Sequence, residues 1–223
     1  MRTDTSGLTS QPADLEGKLT QDPASRFQDL SLFTLERNFR GRSAILVQLW
    51  WIVQSTMFGC SPQFMYGWRR LLLRLFGAEI GSNVLVRPSA RVTYPWKLKI
   101  GNHSWIGDNV ELYTLGPITI GNNAVVSQGS YLCTGTHDHL DLTFKIEALP
   151  IVVEDEAWIA AQVFITPGIR IGRGAVIGAR SLVLADVPDG AIAMGHPATV
   201  RGARLPQNLE KSGAPVANDS RRP

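Results

Sequence analysis

The sequence has very few cysteines, and no disulfide framework can be built from them. Only Cys60 and Cys133 occur among the 223 residues, which fits a reducing compartment. Charge is also sparse, at 18% of residues with a net charge of +3, so nucleic-acid binding is not indicated. The first residues, MRTDTSGLTSQPADLEGK, lack the basic and then apolar layout of a signal peptide, and we therefore expect a cytoplasmic protein.

No apolar run reaches the length that a membrane-spanning helix needs. The most apolar stretch, AILVQLWWIVQSTMFGC at residues 44–60, has 17 residues and includes Gln48 and Gln54, whereas a span takes about 20 residues. Arginines stand on both sides of this stretch: Arg37, Arg40, Arg42, Arg69, Arg70 and Arg74. Three interpretations stay open, namely a helix that caps the fold, a cap that also contacts the inner face of a membrane, and a true span.

What the sequence does have is a period of six residues. Fifteen positions, six residues apart except at three longer steps, are all Ile, Leu or Val: Ile80, Val86, Val92, Ile100, Ile106, Leu112, Ile120, Val126, Leu132, Val153, Ile159, Ile165, Ile171, Ile177 and Val183. A period of six fits neither an amphipathic helix nor an open strand. It predicts short strands joined by tight corners, three to each triangular coil, with Gly or Asn supplying left-handed backbone at the corners.

This pattern resembles that of the hexapeptide-repeat acyltransferases. The resemblance implies an all-β fold, a left-handed parallel β-helix of about five coils with an N-terminal helical arm and one extruded loop. The predicted organisation is a flexible N-terminus at 1–36, an apolar helical arm at 37–79, the β-helix at 80–204 with its loop at about 138–152, and a disordered tail at 205–223. The loop breaks the repeat at TGTHDH, and loops extruded from a solenoid edge commonly carry function.

Two histidines stand at the base of this loop, His137 and His139. In sugar O-acetyltransferases of the hexapeptide class, a Thr-x-x-His segment at the start of the loop carries the general base, and His137 matches that position. Its other ring nitrogen should be held by a carbonyl or a carboxylate, with Asp138 and Glu111 as candidates. We expect His103, inside a repeat, to occupy a surface corner.

Longer stretches resemble the colanic-acid type of exopolysaccharide acetyltransferase, among them LWWIVQ, SPQFMYGWRRLLLRLFGAEIG, RPSARVTYPWKLKIGNHSWIGD and YLCTGTHDH. The resemblance implies acetyl transfer from acetyl-CoA to a sugar hydroxyl during exopolysaccharide synthesis, by a homotrimer without a metal. The site residues it implies are Glu111, Tyr113, Trp158 and His139 for the acceptor, with Ala161, Ala179, Arg201 and Arg204 for CoA. The acceptor could also be another small sugar or a lipid-linked oligosaccharide.

Other classes of function stay open from the residues alone. A prism-shaped zinc carbonic anhydrase needs three histidines around the metal, and His137 with His139 gives only two on this edge. A non-catalytic scaffold would use the loop to bind partners. Cys133, four residues before His137, also permits a covalent Cys–His mechanism, although members of this family transfer acetyl directly.

Overall fold

The computed structural model describes residues 26–205 of the chain. These residues form two compact units, one that includes 26–35 with 137–146 and another that includes 36–136 with 147–205. The first unit contains a 3₁₀ helix, Leu30–Leu32, so part of the segment predicted to be flexible has a defined course. The predictions for residues 1–25 and for the tail from 206 onward lie outside the described residues.

The second unit is a parallel β-helix whose three sides form three sheets. The first sheet holds β1 (Glu79–Ile80), β4 (Leu98–Ile100), β7 (Ile118–Ile120), β12 (Ile151–Val153) and β15 (Arg170–Ile171). The second holds β2 (Leu85–Val86), β5 (Trp105–Ile106), β8 (Val125–Val126), β13 (Trp158–Ile159), β16 (Val176–Ile177) and β18 (Ala191–Gly195), followed by β19 (Ala198–Ala203). The third holds β3 (Arg91–Val92), β6 (Glu111–Tyr113), β9 (Tyr131–Cys133), β14 (Phe164–Ile165) and β17 (Leu182–Val183).

The predicted stack of aliphatic residues is confirmed. All fifteen are buried, and they lie opposite one another from coil to coil, as Ile80 does with Ile100 and Leu112 with Leu132. Five complete coils are followed by a partial sixth, which consists of β18 and a bridge between Ile171 and Val187. Each coil therefore adds one layer of aliphatic side chains to a continuous apolar core.

The predicted left-handed corners are present, and seven of the eleven in the following list are Asn or Gly as predicted. Left-handed backbone occurs three residues after the aliphatic position and mostly without glycine, at Asn83, His103, Asn109, Asn123, Gly129, Glu156, Gln162, Gly168, Gly174, Arg180 and Gly190. The glycine directly after the aliphatic residue serves another purpose. A Cβ at Gly101 would lie 2.6 Å from the Gly121 carbonyl carbon, so the close approach of successive coils requires glycine there. His103 has φ of 60°, and its predicted place at a surface corner is confirmed.

Two helices cover the open end of the first coil. Helix α1 (Ala44–Val53) continues into a π-helical turn (Gln54–Phe58), and α2 (Tyr66–Leu75) follows. The indole Nε1 of Trp50 donates to the Val92 carbonyl at 2.7 Å, and the Gln54 Oε1 accepts from the Val92 N–H at 2.7 Å. No helix among residues 26–205 is long and apolar enough to cross a membrane.

Three arginines of α2 complete this cap. In an inner coil, the carbonyls of Ile100, Ser104 and Ile106 accept from N–H groups of the preceding coil, but the first coil has no predecessor. There the acceptors receive guanidinium groups instead: Arg74 donates to Ile80, Arg70 to Val84 and Arg69 to Val86, at 2.6–3.0 Å. Of the three interpretations of this segment, the cap is therefore confirmed, since these arginines supply donors to carbonyls at the end of the solenoid.

The loop leaves the third coil at Thr136, where β10 (Gly135–His137) pairs with β11 (Ile146–Ala148). The predicted loop end at 152 falls inside β12, which begins at Ile151. Thr136 is exposed, although the corresponding residues of the other coils are buried, because here the chain turns away from the core.

Candidate active site

His137 is the last residue of β10, and Phe144 of the same unit contacts its imidazole through both a backbone carbonyl and a side-chain ring. The Nδ1 atom lies 2.8 Å from the carbonyl oxygen of Phe144. The Phe144 ring stacks on the imidazole with centroids 4.1 Å apart and planes 8° apart. Because a carbonyl oxygen only accepts, the proton is on Nδ1 and the lone pair is on Nε2. This tautomer is the one that a general base needs.

Short polar side chains fold the loop back toward His137. The Asp138 carboxylate accepts from the Leu140 N–H at 2.9 Å, and the Asp141 carboxylate accepts from both the N–H and the hydroxyl of Thr143 at 2.7 Å. The hydrogen bonds from Thr143 lower the pKa of Asp141. Such side-chain turns are typical of aspartate. The expectation that Asp138 or Glu111 holds the base is therefore corrected, since the Phe144 carbonyl occupies Nδ1 and the Asp138 carboxylate serves the turn.

A segment before the β-helix also reaches the loop, a contact that no pattern in the sequence indicates. The Asp29 N–H donates to the Leu142 carbonyl at 2.8 Å, and the Phe33 ring lies 6.2 Å from the imidazole of His137. His137 thus has two phenyl rings beside it, whereas His139 is exposed. The acceptor role predicted for His139 stays a prediction.

Glu111 and Tyr113 point outward from the third sheet, within an aromatic row. Glu111 lies opposite Tyr131 in the next coil, and the Tyr131 ring stacks on Phe164 at 5.2 Å. Burial raises the pKa of the Glu111 carboxyl, although the Arg91 charge opposes this effect. Burial likewise raises the pKa of Tyr113. The two predicted acceptor residues therefore belong to one half-buried, partly apolar surface.

Cys133 follows on the same strand as Tyr131, in surroundings that favour the neutral thiol. Burial raises the pKa of Cys133, and its Sγ lies 3.2 Å from the Gly135 carbonyl, to which it donates. A thiolate is the reactive form of cysteine. This environment therefore does not favour the covalent Cys–His mechanism.

Trp158 lies on the second sheet, in a cleft of about 850 Å³. Its side chain is 47% exposed, and its Nε1 donates to the Ser127 hydroxyl at 3.0 Å. Trp105, which the sequence reasoning did not single out, stands two coils away in the same row, with Val125 between the two rings. The cleft therefore has two indole walls and an aliphatic floor, a surface suited to an organic ligand.

The predicted CoA residues occupy two different corners of the second sheet. Ala161 and Ala179 follow it on successive coils, where the Ala161 carbonyl accepts from the Arg180 N–H at 2.9 Å. Within the described part of the chain, the N–H groups of both alanines have no hydrogen-bond partner. Arg204 instead lies at the corner before the sheet, where it donates to the Glu156 carbonyl at 3.1 Å. Arg201 is exposed on β19.

One chain thus does not bring the predicted set together on one surface. Trp158 and the two alanines belong to the second sheet and its following corner, whereas Glu111 and Tyr113 belong to the third sheet. In residues 26–205, no three His, Cys, Asp or Glu side chains are grouped as metal ligands would be. The three-ligand site that a zinc carbonic anhydrase needs is not found in that range.

Comparisons with known proteins agree with this geometry. A sequence model of the hexapeptide repeat of succinyl-transferase matches residues 97–133. The Escherichia coli protein WcaF, named for acetyl transfer in colanic acid biosynthesis, is 56% identical over 178 residues, which are 80% of this chain and 98% of WcaF. The galactoside O-acetyltransferase of E. coli is 31% identical over 59% of this chain and 66% of its own length.

Solved structures give the same result for the fold. A hexapeptide-repeat acetyltransferase of Vibrio cholerae in complex with acetyl-CoA has a TM-score of 0.66 at 26% identity, over 74% of this chain and 92% of its own. A maltose O-acetyltransferase of Clostridium difficile has a TM-score of 0.67 at 25% identity, over 74% and 90%. The predicted left-handed β-helix is confirmed by these neighbours.

Proposed function

This chain belongs to the hexapeptide-repeat acetyltransferases, and from that premise we propose that it acetylates a sugar hydroxyl during exopolysaccharide synthesis. It is an acetyl-CoA-dependent acetyltransferase. The name of WcaF supports a polysaccharide acceptor, and the named activities of two other relatives support a sugar hydroxyl. The observation that carries the proposal is the 2.8 Å distance between His137 Nδ1 and the Phe144 carbonyl oxygen, because a carbonyl on Nδ1 favours the neutral tautomer in which Nε2 is the basic nitrogen.

The reaction needs one base and one group that stabilises negative charge. Nε2 of His137 takes the proton of the sugar hydroxyl while the oxygen attacks the thioester carbonyl, forming a C–O bond and a tetrahedral oxyanion. The oxyanion collapses, the C–S bond breaks, and the leaving thiolate takes the proton back from the imidazolium. A positioned base of this kind contributes roughly 10²–10⁴-fold to the rate. A backbone N–H or polar side chain would hold the oxyanion.

We propose that acetyl-CoA binds along the corner after the second sheet. The N–H groups of Ala161 and Ala179 stand on neighbouring coils, about 4.8 Å apart as strands in a sheet are. They can donate to carbonyls of the pantetheine arm. Arg201 and Arg204 remain the proposed partners of the CoA phosphates, with Arg204 turned toward the cleft that also contains Trp158.

We further propose that the active enzyme is a homotrimer. The residues proposed for acceptor and donor lie on different sheets of one chain. Three-fold assembly of parallel solenoids would set the loop of one copy against the second sheet of the next. The half-buried aromatic row with Tyr113 and Tyr131 would then also face a neighbouring chain.

We place the reaction at the inner face of the membrane, with a lipid-linked oligosaccharide as the acceptor. A growing polysaccharide repeat is commonly assembled on a lipid carrier, which fits the expected cytoplasmic location. Mass spectrometry of the polysaccharide from a host with and without this gene tests the acceptor class. Loss of one acetyl group per repeat is the expected result, and an unchanged acetyl content would contradict the proposal.

The purified full chain tests the base directly. His137→Ala should lower kcat for thiol release from acetyl-CoA in the presence of acceptor by about 10²-fold or more, because Nε2 is lost. His139→Ala is the matched control and should change kcat by only a few-fold. Sedimentation should show the same oligomer for both variants. Reversed effects of the two substitutions would assign the base to His139.

A further inference from the structure

The outer face of the helical cap is apolar, although nothing in the described chain covers it. Ile45, Leu49 and Ile52 are 81%, 47% and 61% exposed. At spacings of four and three residues they fall on one face of α1, away from the buried Val47 and Trp50. A terminal cap of a solenoid ordinarily needs a polar outer face for solubility. The outer face of this cap is therefore apolar where a polar surface is expected.

Closure of the solenoid does not explain these side chains. The inner face of the cap supplies the buried contacts, through Trp50 and Phe58, and the hydrogen bonds, through Trp50 and three arginines of α2. None of the three outer residues takes part. Contiguous exposed apolar side chains commonly mark an interaction site.

The segment that contains α1 and α2 carries only basic charges, although Glu36 and Glu79 stand just outside it in the sequence. No Asp or Glu occurs from Arg37 to Ala78, while Arg37 and Arg42 are exposed. Arg42 directly precedes Ser43, the N-cap of α1, where the helix dipole is already positive. A cation at the N-terminus of a helix is unfavourable because the dipole repels it. Arg37 and Arg42 together with this helix end therefore form a positively charged edge beside the apolar face. Its complement is a surface with negative charge at its rim and apolar material beneath.

We propose that the outer face of the cap docks on an anionic lipid bilayer, with α1 lying in the plane of the headgroups. Ile45, Leu49 and Ile52 would enter the boundary between headgroups and acyl chains, Trp51 would lie at their edge, and Arg37 with Arg42 would contact phosphates. The 10 residues of α1 extend about 15 Å, too short to span the roughly 30 Å hydrocarbon layer. The contact is therefore peripheral and does not depend on the acetyl transfer proposed above.

A bilayer fits this face better than a second copy of the chain. Self-association through the same face would bring the exposed arginines of both copies together, and like charges at an interface oppose association. A bilayer with anionic lipid instead gives each arginine a phosphate, at about a fivefold gain in binding for each basic residue. The positive charge beside the apolar face therefore favours an anionic bilayer over a second copy of the chain.

Flotation of the purified full chain with vesicles tests the docking. Vesicles of phosphatidylcholine with about one third phosphatidylglycerol should carry the protein upward at low salt. Pure phosphatidylcholine vesicles should carry less, and about 1 M salt should weaken the binding to anionic vesicles because screening then acts within 3 Å. Protein that stays at the bottom with both vesicle types overturns the proposal.

Matched variants identify the surface. Ile45→Ser with Ile52→Ser should lower vesicle binding about tenfold or more, because two exposed apolar side chains are lost, and Arg37→Gln with Arg42→Gln should lower it at low salt only. The controls are Leu184→Ser, at an exposed leucine of the last complete coil, and Arg180→Gln at a distant corner. Equal binding by the cap variants and the controls would place the lipid contact elsewhere.

Two further measurements separate the alternatives. Acetyl transfer to a water-soluble oligosaccharide should be unchanged in the cap variants, so a failed docking and a failed reaction are distinguishable. Sedimentation velocity over a range of concentrations reports on self-association. A mass that rises with concentration in the parent chain but not in the Ile45→Ser and Ile52→Ser variant would make a second copy the occupant and overturn the lipid proposal.

Discussion

At each end of the β-helix, backbone groups of the terminal coil lack the hydrogen-bond partners that a further coil would supply. The two ends provide these partners from different parts of the chain. At the first coil, carbonyls that lack a preceding coil accept from side chains of α1 and α2, among them Trp50 and Arg69. At the last coil, backbone closes the end: the N–H of Gly172 donates to Val187 and that of Gly178 to Ala193. Strand β19 then folds back antiparallel on β18. The first end depends mainly on side chains of the two helices. The second is closed mainly by backbone, with side-chain acceptors at Ser181, Asp186 and Asp189.

This difference between the two ends predicts which substitutions should lower the free energy of unfolding most. Replacing an exposed residue on β19 leaves every backbone hydrogen bond in place, because those bonds do not involve side chains. Replacing a capping side chain at the first coil leaves a buried carbonyl without a donor, which costs about 1–3 kcal/mol for each group. Substitutions at the two ends should therefore differ in their effect on the free energy of unfolding.

Arg69→Met should give the largest effect. Arg69 is fully buried and donates to three backbone carbonyls and the Ser61 hydroxyl, so its loss should lower the free energy of unfolding by about 3–5 kcal/mol. Urea unfolding followed by circular dichroism measures it. Arg201→Met, at the exposed β19, is the control and should stay within about 0.5 kcal/mol of the parent. Equal losses in both would break the contrast between the ends.

Trp50→Phe should give an intermediate effect. The substitution keeps an aromatic ring among the cap residues but removes the donor to the Val92 carbonyl, so we expect a loss of about 1–3 kcal/mol. Trp51→Phe changes the neighbouring, 42% exposed side chain and should be nearly neutral. If the two variants unfold at the same urea concentration, the indole hydrogen bond does not help to close the first coil.

Removal of β19 should give the smallest loss of stability and a different defect. A chain ending at 197 loses the antiparallel pairs with β18, but ordering of β19 also costs conformational entropy, so we expect a net change of about 1 kcal/mol. The uncovered edge of β18 can pair with another chain, and sedimentation velocity should show self-association at raised concentration. A chain ending at 205 is the control. A loss as large as that of Arg69→Met would show that this end also depends on specific contacts.

The periodic part of the fold could be predicted because one residue type at one spacing determines it. All fifteen aliphatic positions of the six-residue repeat, from Ile80 to Val183, are buried, because an isoleucine, leucine or valine side chain fills each place in the stacked core. The corners were harder to predict. His103, Glu156 and Arg180 adopt left-handed backbone, although these residue types do not favour it. The hydrogen bonds to neighbouring coils determine the backbone conformation at these corners.

Of the candidate site, the sequence predicted the place of His137 at the loop base and a carbonyl or carboxylate on its other ring nitrogen. The Phe144 carbonyl fits the first alternative, but Phe144 could not be named in advance because any residue type supplies a carbonyl. Phe33 precedes the first coil, and no local spacing relates it to His137. The sequence left the role of the capping arginines open between a cap and a membrane contact for a similar reason. A basic residue beside an apolar segment has the same appearance whether its donors face lipid phosphates or buried carbonyls.

The stacking of coils above the cap also sets a distance. If the cap rests on a bilayer, its helices occupy about 10 Å, and each coil adds about 4.8 Å along the solenoid axis. The third coil, where the loop leaves at Thr136, then stands about 20 Å above the lipid surface. If the acceptor is lipid-linked, as proposed above, the height of this coil would select a sugar by its distance from the lipid as well as by its shape.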